Sequence, residues 1–417
     1  MRCDVGSFTK TSGPTTGNQD ITIPVDLTAA AAGTWAIMFW TTGSDQASGT
    51  WDPHYFACLG FTTGAANSYA VASCSSDNQS SSIAYRRMAA KCLLVQGLDG
   101  TPASEADFVS FPSSTTMRIN WTTNPDNATI NASVINFMIL SGLTGAKVID
   151  WTAPTTPIDK AVTGAGFSPD LVLHIGAGRP SALPESTSHA LTGFGCMNKH
   201  GQQWANAWST GISQNPSNTS HWQQTDNCFG MTFYGDTIAS QAKFKSMDAD
   251  GFTVNFQDID SGNADHIFSL CLDGVSSKIG AFQKVSTATP YSQTVPSRHG
   301  FTPKGILLAS ADGAVESPPA SKAAWSLGAT DLTNSRVSEL ADFDAQNPSI
   351  VENVQRTNAV IISPSGAASD FQRASYSSST TEQFVLSWDV TAANRMQSLY
   401  LLIGDTGVNT FPAKVLV

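Results

Sequence analysis

The sequence predicts an all-β protein of three tandem β-sandwich, jelly-roll-like domains. Charged residues make up only 13% of the 417, too few for the polar faces of helical bundles. Hydrophobic residues at 41%, with 10 Trp, exclude a disordered chain, while 33 Gly and 20 Pro supply frequent turns. The length exceeds what one core organises, and a plan of about 130 residues recurs three times.

Each copy opens on a strand. Copy one begins Val5-Gly6-Ser7-Phe8-Thr9-Lys10 and copy three Ile279-Gly280-Ala281-Phe282-Gln283-Lys284, while copy two is looser at Val148-Ile149-Asp150-Trp151-Thr152. A buried-looking strand follows in each, at 34–39, 170–175 and 304–309. In copies two and three a shared corner precedes it, Gly166-Phe167-Ser168-Pro169 and Gly300-Phe301-Thr302-Pro303. There the Pro fixes φ and the Phe plugs the end of the core. Late in each copy, period-two alternation marks a β-hairpin, ending on Trp121, Phe256 or Trp388 at matching places. These three aromatics are expected to point into three separate cores, so that the domains melt independently. An apolar strand closes each copy, at 137–142, 268–274 and 399–404. The predicted domains are 1–145, 146–277 and 278–404, followed by an extended C-terminal arm over 405–417. The middles, as in 186–227 and 321–358, diverge strongly and read as loops that carry contacts.

Net charge of −11 and a pI near 4.9, with no basic run longer than Arg86-Arg87, argue against nucleic-acid binding. The most apolar stretch, 27–40, is broken by Gly33 and Thr34 and is too short for a bilayer, so no membrane partner is expected. Met1-Arg2-Cys3-Asp4 leads straight into polar sequence, which predicts synthesis in a cytoplasm without a secretion address. The seven Cys form no CxxC and read as small buried hydrophobes rather than zinc ligands.

The search for chemistry nominates no catalytic, cofactor-binding or metal-binding residue. Each of the seven His stands alone, and no HExxH, GxSxG, phosphate loop or dinucleotide fingerprint is present. Asp258, Asp260, Asn263 and Asp265 crowd one loop with oxygens suited to Ca²⁺, but the spacing is not that of an EF-hand and an ordinary turn is the better reading. Asp248 and Asp250 likewise read as turn residues. Trp204, Trp208 and Trp222 form an aromatic cluster that fits a core or an interface, with a sugar-stacking platform as the alternative.

The phrase Gly-Phe-Ser/Thr-Pro before the buried strand, the later Asp250-Gly251-Phe252-Thr253-Val254-Asn255-Phe256 and the closing Phe268-Ser269-Leu270-Cys271-Leu272-Asp273-Gly274 resemble repeats in structural proteins of tailed-bacteriophage virions. Copies two and three carry the resemblance; copy one lacks the corner. The resemblance implies a non-enzymatic virion protein that decorates or cements the outer capsid surface and stabilises the head. Its partners would be the major capsid protein and other virion proteins. The alternative is a tail or fibre component, or a surface module that binds host glycans through Trp204, Trp208 and Trp222. Three related domains in one chain also suggest a mimic of a trimer on a threefold capsid site, against a string projecting from the shell.

Overall fold

The computed structural model describes residues 1–11, 16–24, 34–43, 51–124, 133–178, 183–259, 265–311, 317–364 and 370–406, which form strands and turns without a helix. The first eleven strands are β1 (Arg2–Thr9), β2 (Gly17–Thr22), β3 (Thr34–Thr41), β4 (Asp52–Pro53), β5 (Tyr55–Thr62), β6 (Ser68–Ser75), β7 (Ala84–Ala89), β8 (Leu93–Gln96), β9 (Pro102–Ser113), β10 (Thr116–Thr123) and β11 (Val134–Leu143). The next eleven are β12 (Gly145–Thr152), β13 (Asp159–Thr163), β14 (Leu171–Gly176), β15 (Glu185–Ser188), β16 (Ala190–Asn198), β17 (Gln203–Thr210), β18 (Thr219–Gln224), β19 (Phe229–Phe233), β20 (Thr237–Asp248), β21 (Gly251–Ile259) and β22 (His266–Asp273). The last eleven are β23 (Val275–Gln283), β24 (Tyr291–Pro296), β25 (Pro303–Ser310), β26 (Ser317–Ser321), β27 (Ala323–Thr330), β28 (Ser335–Asp342), β29 (Val351–Arg356), β30 (Ile361–Pro364), β31 (Asp370–Ser379), β32 (Gln383–Val390) and β33 (Gln397–Asp405).

These strands make six sheets, three of seven strands and three of four. The four-stranded sheets run β2-β10-β9-β8, β13-β21-β20-β19 and β24-β32-β31-β30. The seven-stranded sheets run β1-β11-β3-β5-β6-β7-β15, β12-β22-β14-β16-β17-β18-β26 and β23-β33-β25-β27-β28-β29-β4. In every set the first strand pairs with the last and the second with the penultimate. The seventh strand of each large sheet belongs to a different set: β15 completes the first sheet, β26 the second and β4 the third. The exchange closes on itself, so none of the three large sheets is complete without another part of the chain.

Strand composition follows from the two layers. β3 is apolar almost throughout because both faces are buried: Ile37 and Phe39 face one core, Met38 and Trp40 another. β10 alternates instead, burying Met117, Ile119 and Trp121 and turning Arg118, Asn120 and Thr122 outward. The small and large sheets touch closely where Gly60, Gly195 and Gly328 stand. A Cβ there would lie 2.1 Å from the carbonyl oxygen of Cys92, Cys228 or Val360, so only glycine admits that backbone approach.

Three hydrophobic clusters fill the spaces between paired sheets. Trp121 sits in the first, Phe256 in the second and Trp388 in the third, each at most 1% exposed. Their register partners are Ala106, Ala242 and Ala374, so a small residue faces the large ring in each hairpin. A fourth cluster runs through the middle of the molecule and takes residues from all three sets, among them Trp40, Tyr55, Phe194, Trp208, Trp325 and Leu340. This shared cluster, with the exchanged strands, links the three sets and argues against their melting independently. Single residues, Thr144 and Gly274, separate β11 from β12 and β22 from β23, so cuts at 145/146 and 277/278 fall inside β12 and β23. Asp405 ends β33, and 407–417, the rest of the expected arm, lies outside the described residues.

Candidate functional site

The most elaborated region of the molecule is the junction where the three sets meet, and it can be built from the exchanged strands inward. Each exchanged strand is followed at once by a left-handed residue, His54 (φ 63), His189 (φ 63) or Lys322 (φ 87), which turns the chain into its own sheet. Non-glycine residues rarely hold this conformation, so neighbours must fix it. The carbonyl oxygens of these residues accept from corresponding positions of β29, β7 and β18. Asn353 Nδ2 donates to His54 O at 2.7 Å, Arg86 Nη1 to His189 O at 3.3 Å, and His221 Nδ1 lies 2.6 Å from Lys322 O. Three chemically different side chains thus serve one geometry.

Next to this lies a crown of loops. Ser82 Oγ donates to Gly211 O at 2.6 Å and accepts from Gln214 N at 3.0 Å, while its backbone pairs with Ser213 and Gln214. Ser217 Oγ does the same with Phe343 O at 2.7 Å and Gln346 N at 3.0 Å. Ser349 Oγ completes the ring on Ser76 O at 2.9 Å and Gln79 N at 3.0 Å. Each serine is at most 3% exposed, and each clasps the loop of the next set. Because each hydroxyl both donates and accepts in a buried place, Ser217→Ala is expected to lower stability by about 1–2 kcal/mol. Urea unfolding would read this as a lower midpoint; an unchanged midpoint would mean the clasp carries no load.

A third ring ties the first strands. Val148 N donates to Asn67 Oδ1 at 2.7 Å, Ile279 N to Gln202 Oε1 at 3.1 Å and Val5 N to Asp331 Oδ2 at 2.9 Å. On the inside, three corresponding residues, Ser75, Thr210 and Asp342, end β6, β17 and β28. Thr210 Oγ1 donates to Asp342 Oδ2 at 2.9 Å. Burial lifts the Asp342 carboxyl to about 7, with the Ser75 and Thr210 hydroxyls only partly offsetting it.

Two members of the expected aromatic cluster, Trp204 and Trp208, take their place in this junction, while Trp222 packs apart from them with Ala205 and Ala207 inside the second set. Trp208 stacks on Trp325 with centroids 4.6 Å apart, and Trp204 Nε1 donates to Tyr400 O at 3.0 Å, both contacts joining the second set to the third. Trp222 packs over Gly230, where a Cβ would come within 2.2 Å of its ring. All three indoles are 0–1% exposed. The alternative of a sugar-stacking platform is therefore corrected: a ring with no open face cannot receive a saccharide.

Chemistry elsewhere is structural. Burial pushes all seven Cys thiols up, away from the reactive thiolate. Burial holds His174 down at about 3, with Nδ1 on Ser269 Oγ at 2.7 Å. Asp248 bonds Ser246 and Thr253, and Asp250 holds the amides of Gly164 and Gly166, as turn residues do. Asp260 and Asn263 of the acidic loop lie outside the described residues. Among the described residues no group of three or more His, Cys, Asp or Glu is placed to hold a metal.

The serine crown was missed by sequence reasoning, yet a signal existed. Gln214-Asn215-Pro216-Ser217 recurs as Gln346-Asn347-Pro348-Ser349 inside the otherwise divergent middles.

No family model matches the chain, and no curated protein matches it. Solved structures give faint likenesses. A chain from "The Triple Jelly Roll Fold and Turret Assembly in an Archaeal Virus" is 6% identical over 96% of this chain and 89% of that one, with a TM-score of 0.14. Kievitone hydratase from Nectria haematococca is 9% identical over 96% and 98%, again with a TM-score of 0.14. Mouse laminin α1 domains LG4-5 are 8% identical over 64% and 92%, with a TM-score of 0.10. At these TM-scores none carries an argument.

Proposed function

We propose that the chain is a non-enzymatic structural protein of a tailed-bacteriophage virion, decorating the outer capsid and stabilising the head. In this reading it is a single-chain pseudo-trimer of three jelly-roll-like β-sandwich domains of common origin. The observation that carries the proposal is the closed exchange of β4, β15 and β26 around the serine crown. A ring of three corresponding bodies offers three similar surfaces about one axis, and a capsid lattice offers three similar surfaces around each threefold or quasi-threefold point. Covalent linkage raises the effective concentration of the second and third contacts once the first forms. A protein that bridges neighbouring capsid subunits favours the assembled lattice by mass action. The net charge of −11 fits a place on the shell rather than against packaged nucleic acid. The phage resemblance of the Gly-Phe-Ser/Thr-Pro corners supports the same place. The glycan-binding alternative loses its residues with the burial of Trp204, Trp208 and Trp222.

The test is a reconstruction of purified particles combined with a quantitative gel. Tens to hundreds of copies per particle, seated at threefold positions of the head, are expected. A handful of copies located at the tail would overturn the decoration role.

A further inference from the structure

A cleft of about 250 Å³ opens between the hairpin turn joining β16 to β17 and the start of β23 with the corner before β25. In a chain of net charge −11 its lining is basic: Lys199 and His200 come from the turn, Lys278 from β23, and Arg298 and His299 from the corner. Ser276 and Ser277 add hydroxyls, and no carboxylate lines it. We propose that this cleft is a binding site for a tetrahedral oxyanion of the phosphate or sulfate class.

The site is built rather than incidental. Asn198 Oδ1 accepts from the amides of His200 and Gln202 at 3.1 Å, and Asn198 Nδ2 reaches Ser277 O at 3.3 Å, fixing the turn against β23. Arg298 is held with φ 47, its amide and that of Ser297 both donating to Glu382 O. Acids nearby act outside the cleft: Asp170 pairs with Lys199 at 2.7 Å, Asp273 lies beside Asp170, and Glu382 lies beside His299. His299 is committed to Ser297 Oγ and Thr380 O, both at 2.8 Å, and so shapes the wall without binding. Among the described residues neither Lys278 nor Arg298 has a carboxylate within ion-pair distance, and burial already depresses the Lys278 ammonium. An anion there would relieve like-charge crowding.

The corresponding junction elsewhere shows the contrast. Between the third set's turn and β1 a cleft of about 260 Å³ has one cation, Arg336, and that residue bonds Ser7 Oγ at 2.8 Å and Ser335 O at 2.7 Å. Pseudo-symmetry therefore provides the cleft more than once, and of the two compared, this one has cations that remain for a ligand, Lys278 on β23 and Arg298 in the corner before β25. Lys278 and Arg298 from two elements, the hydroxyls of Ser276 and Ser277 between them and the Asp170-paired Lys199 at the rim match three or four oxygens better than the two of a carboxylate.

The test is calorimetric titration of the full chain with sodium sulfate and sodium phosphate at constant ionic strength. Saturable binding is expected, weakened about tenfold in Lys278→Gln and in Arg298→Gln and restored in Lys278→Arg. Lys160→Gln, a lysine on β13 away from the cleft, should bind as the parent does. Glucose 6-phosphate distinguishes the source of the anion: tighter binding than inorganic phosphate assigns a sugar-borne group, equal binding a free ion, and either supports the site. Absence of saturation, equal binding by the Gln variants, or acetate binding as tightly as sulfate would overturn it. Near-UV circular dichroism matching the parent establishes that each variant is folded. This inference is independent of where the chain sits on a particle.

Discussion

Trp208→Ala is expected to destabilise the whole chain by about 3–5 kcal/mol and to shift one melting transition that all three sets share. The indole lies in the central cluster, fully buried, stacked on Trp325 of the third set. Its removal leaves a cavity where all three sets pack, and neighbours cannot collapse because the exchanged strands pin each large sheet to the next. Trp388→Ala removes a ring of equal size from the outer cluster of the third set and should cost a similar amount. Native-state hydrogen exchange reads the distinction. In Trp208→Ala, protection should fall in β9–β10 of the first set as well as in β20–β21 and β31–β32. If β9–β10 keeps full protection while the other two hairpins lose theirs, the shared core does not couple the sets.

The second large effect is on pH dependence. Asp342, with a carboxyl lifted to about 7 by burial, holds its proton in the folded chain at pH values where the unfolded chain has released it. The folded state thus binds more protons. Its advantage is fully present below the ordinary carboxylate range near pH 4, is lost progressively as pH rises, and is gone above about 7. Over that window the loss is on the order of 4 kcal/mol. His174 acts oppositely: held neutral at about 3, it withdraws stability as pH falls from about 6.5. The difference between parent and Asp342→Asn isolates the carboxyl. The variant is expected to gain on the parent from pH 4 to about 7 in urea midpoints and to gain no more above that. Parallel curves would show that Asp342 is not titrating in the buried junction.

What the sequence disclosed follows from what local pattern can encode. The late hairpins were legible because period-two burial repeats through Met117, Ile119 and Trp121, through Phe252, Val254 and Phe256, and through Phe384, Leu386 and Trp388. The β3, β14 and β25 strands were legible as continuous apolar runs. The exchange was not: β4 is two residues long, and β15 and β26, Glu-Ser-Thr-Ser and Ser-Pro-Pro-Ala-Ser, join their sheets through backbone bonds without an apolar signature. Trp204, Trp208 and Trp222 read as one cluster in the sequence, but the structure buries Trp222 apart from the other two, and Trp204 and Trp208 find their partners, Tyr400 and Trp325, in another set far along the chain. The basic cleft was hidden for the same reason, since Lys199 and Lys278 come together only when the turn of one set meets the first strand of the next. Two of the three crown serines, Ser217 and Ser349, were available from the recurrence of Gln-Asn-Pro-Ser, whereas Ser82 follows Gln79-Ser80-Ser81 and carries no such signal.

Solution X-ray scattering of the intact chain tests the central claim, that three sets of strands close into one ring. A closed body of this length should have a radius of gyration of about 22 Å and a compact envelope with three similar lobes. Three sandwiches strung in a row would instead give a radius on the order of 30 Å and an elongated distance distribution, and that result would contradict the account.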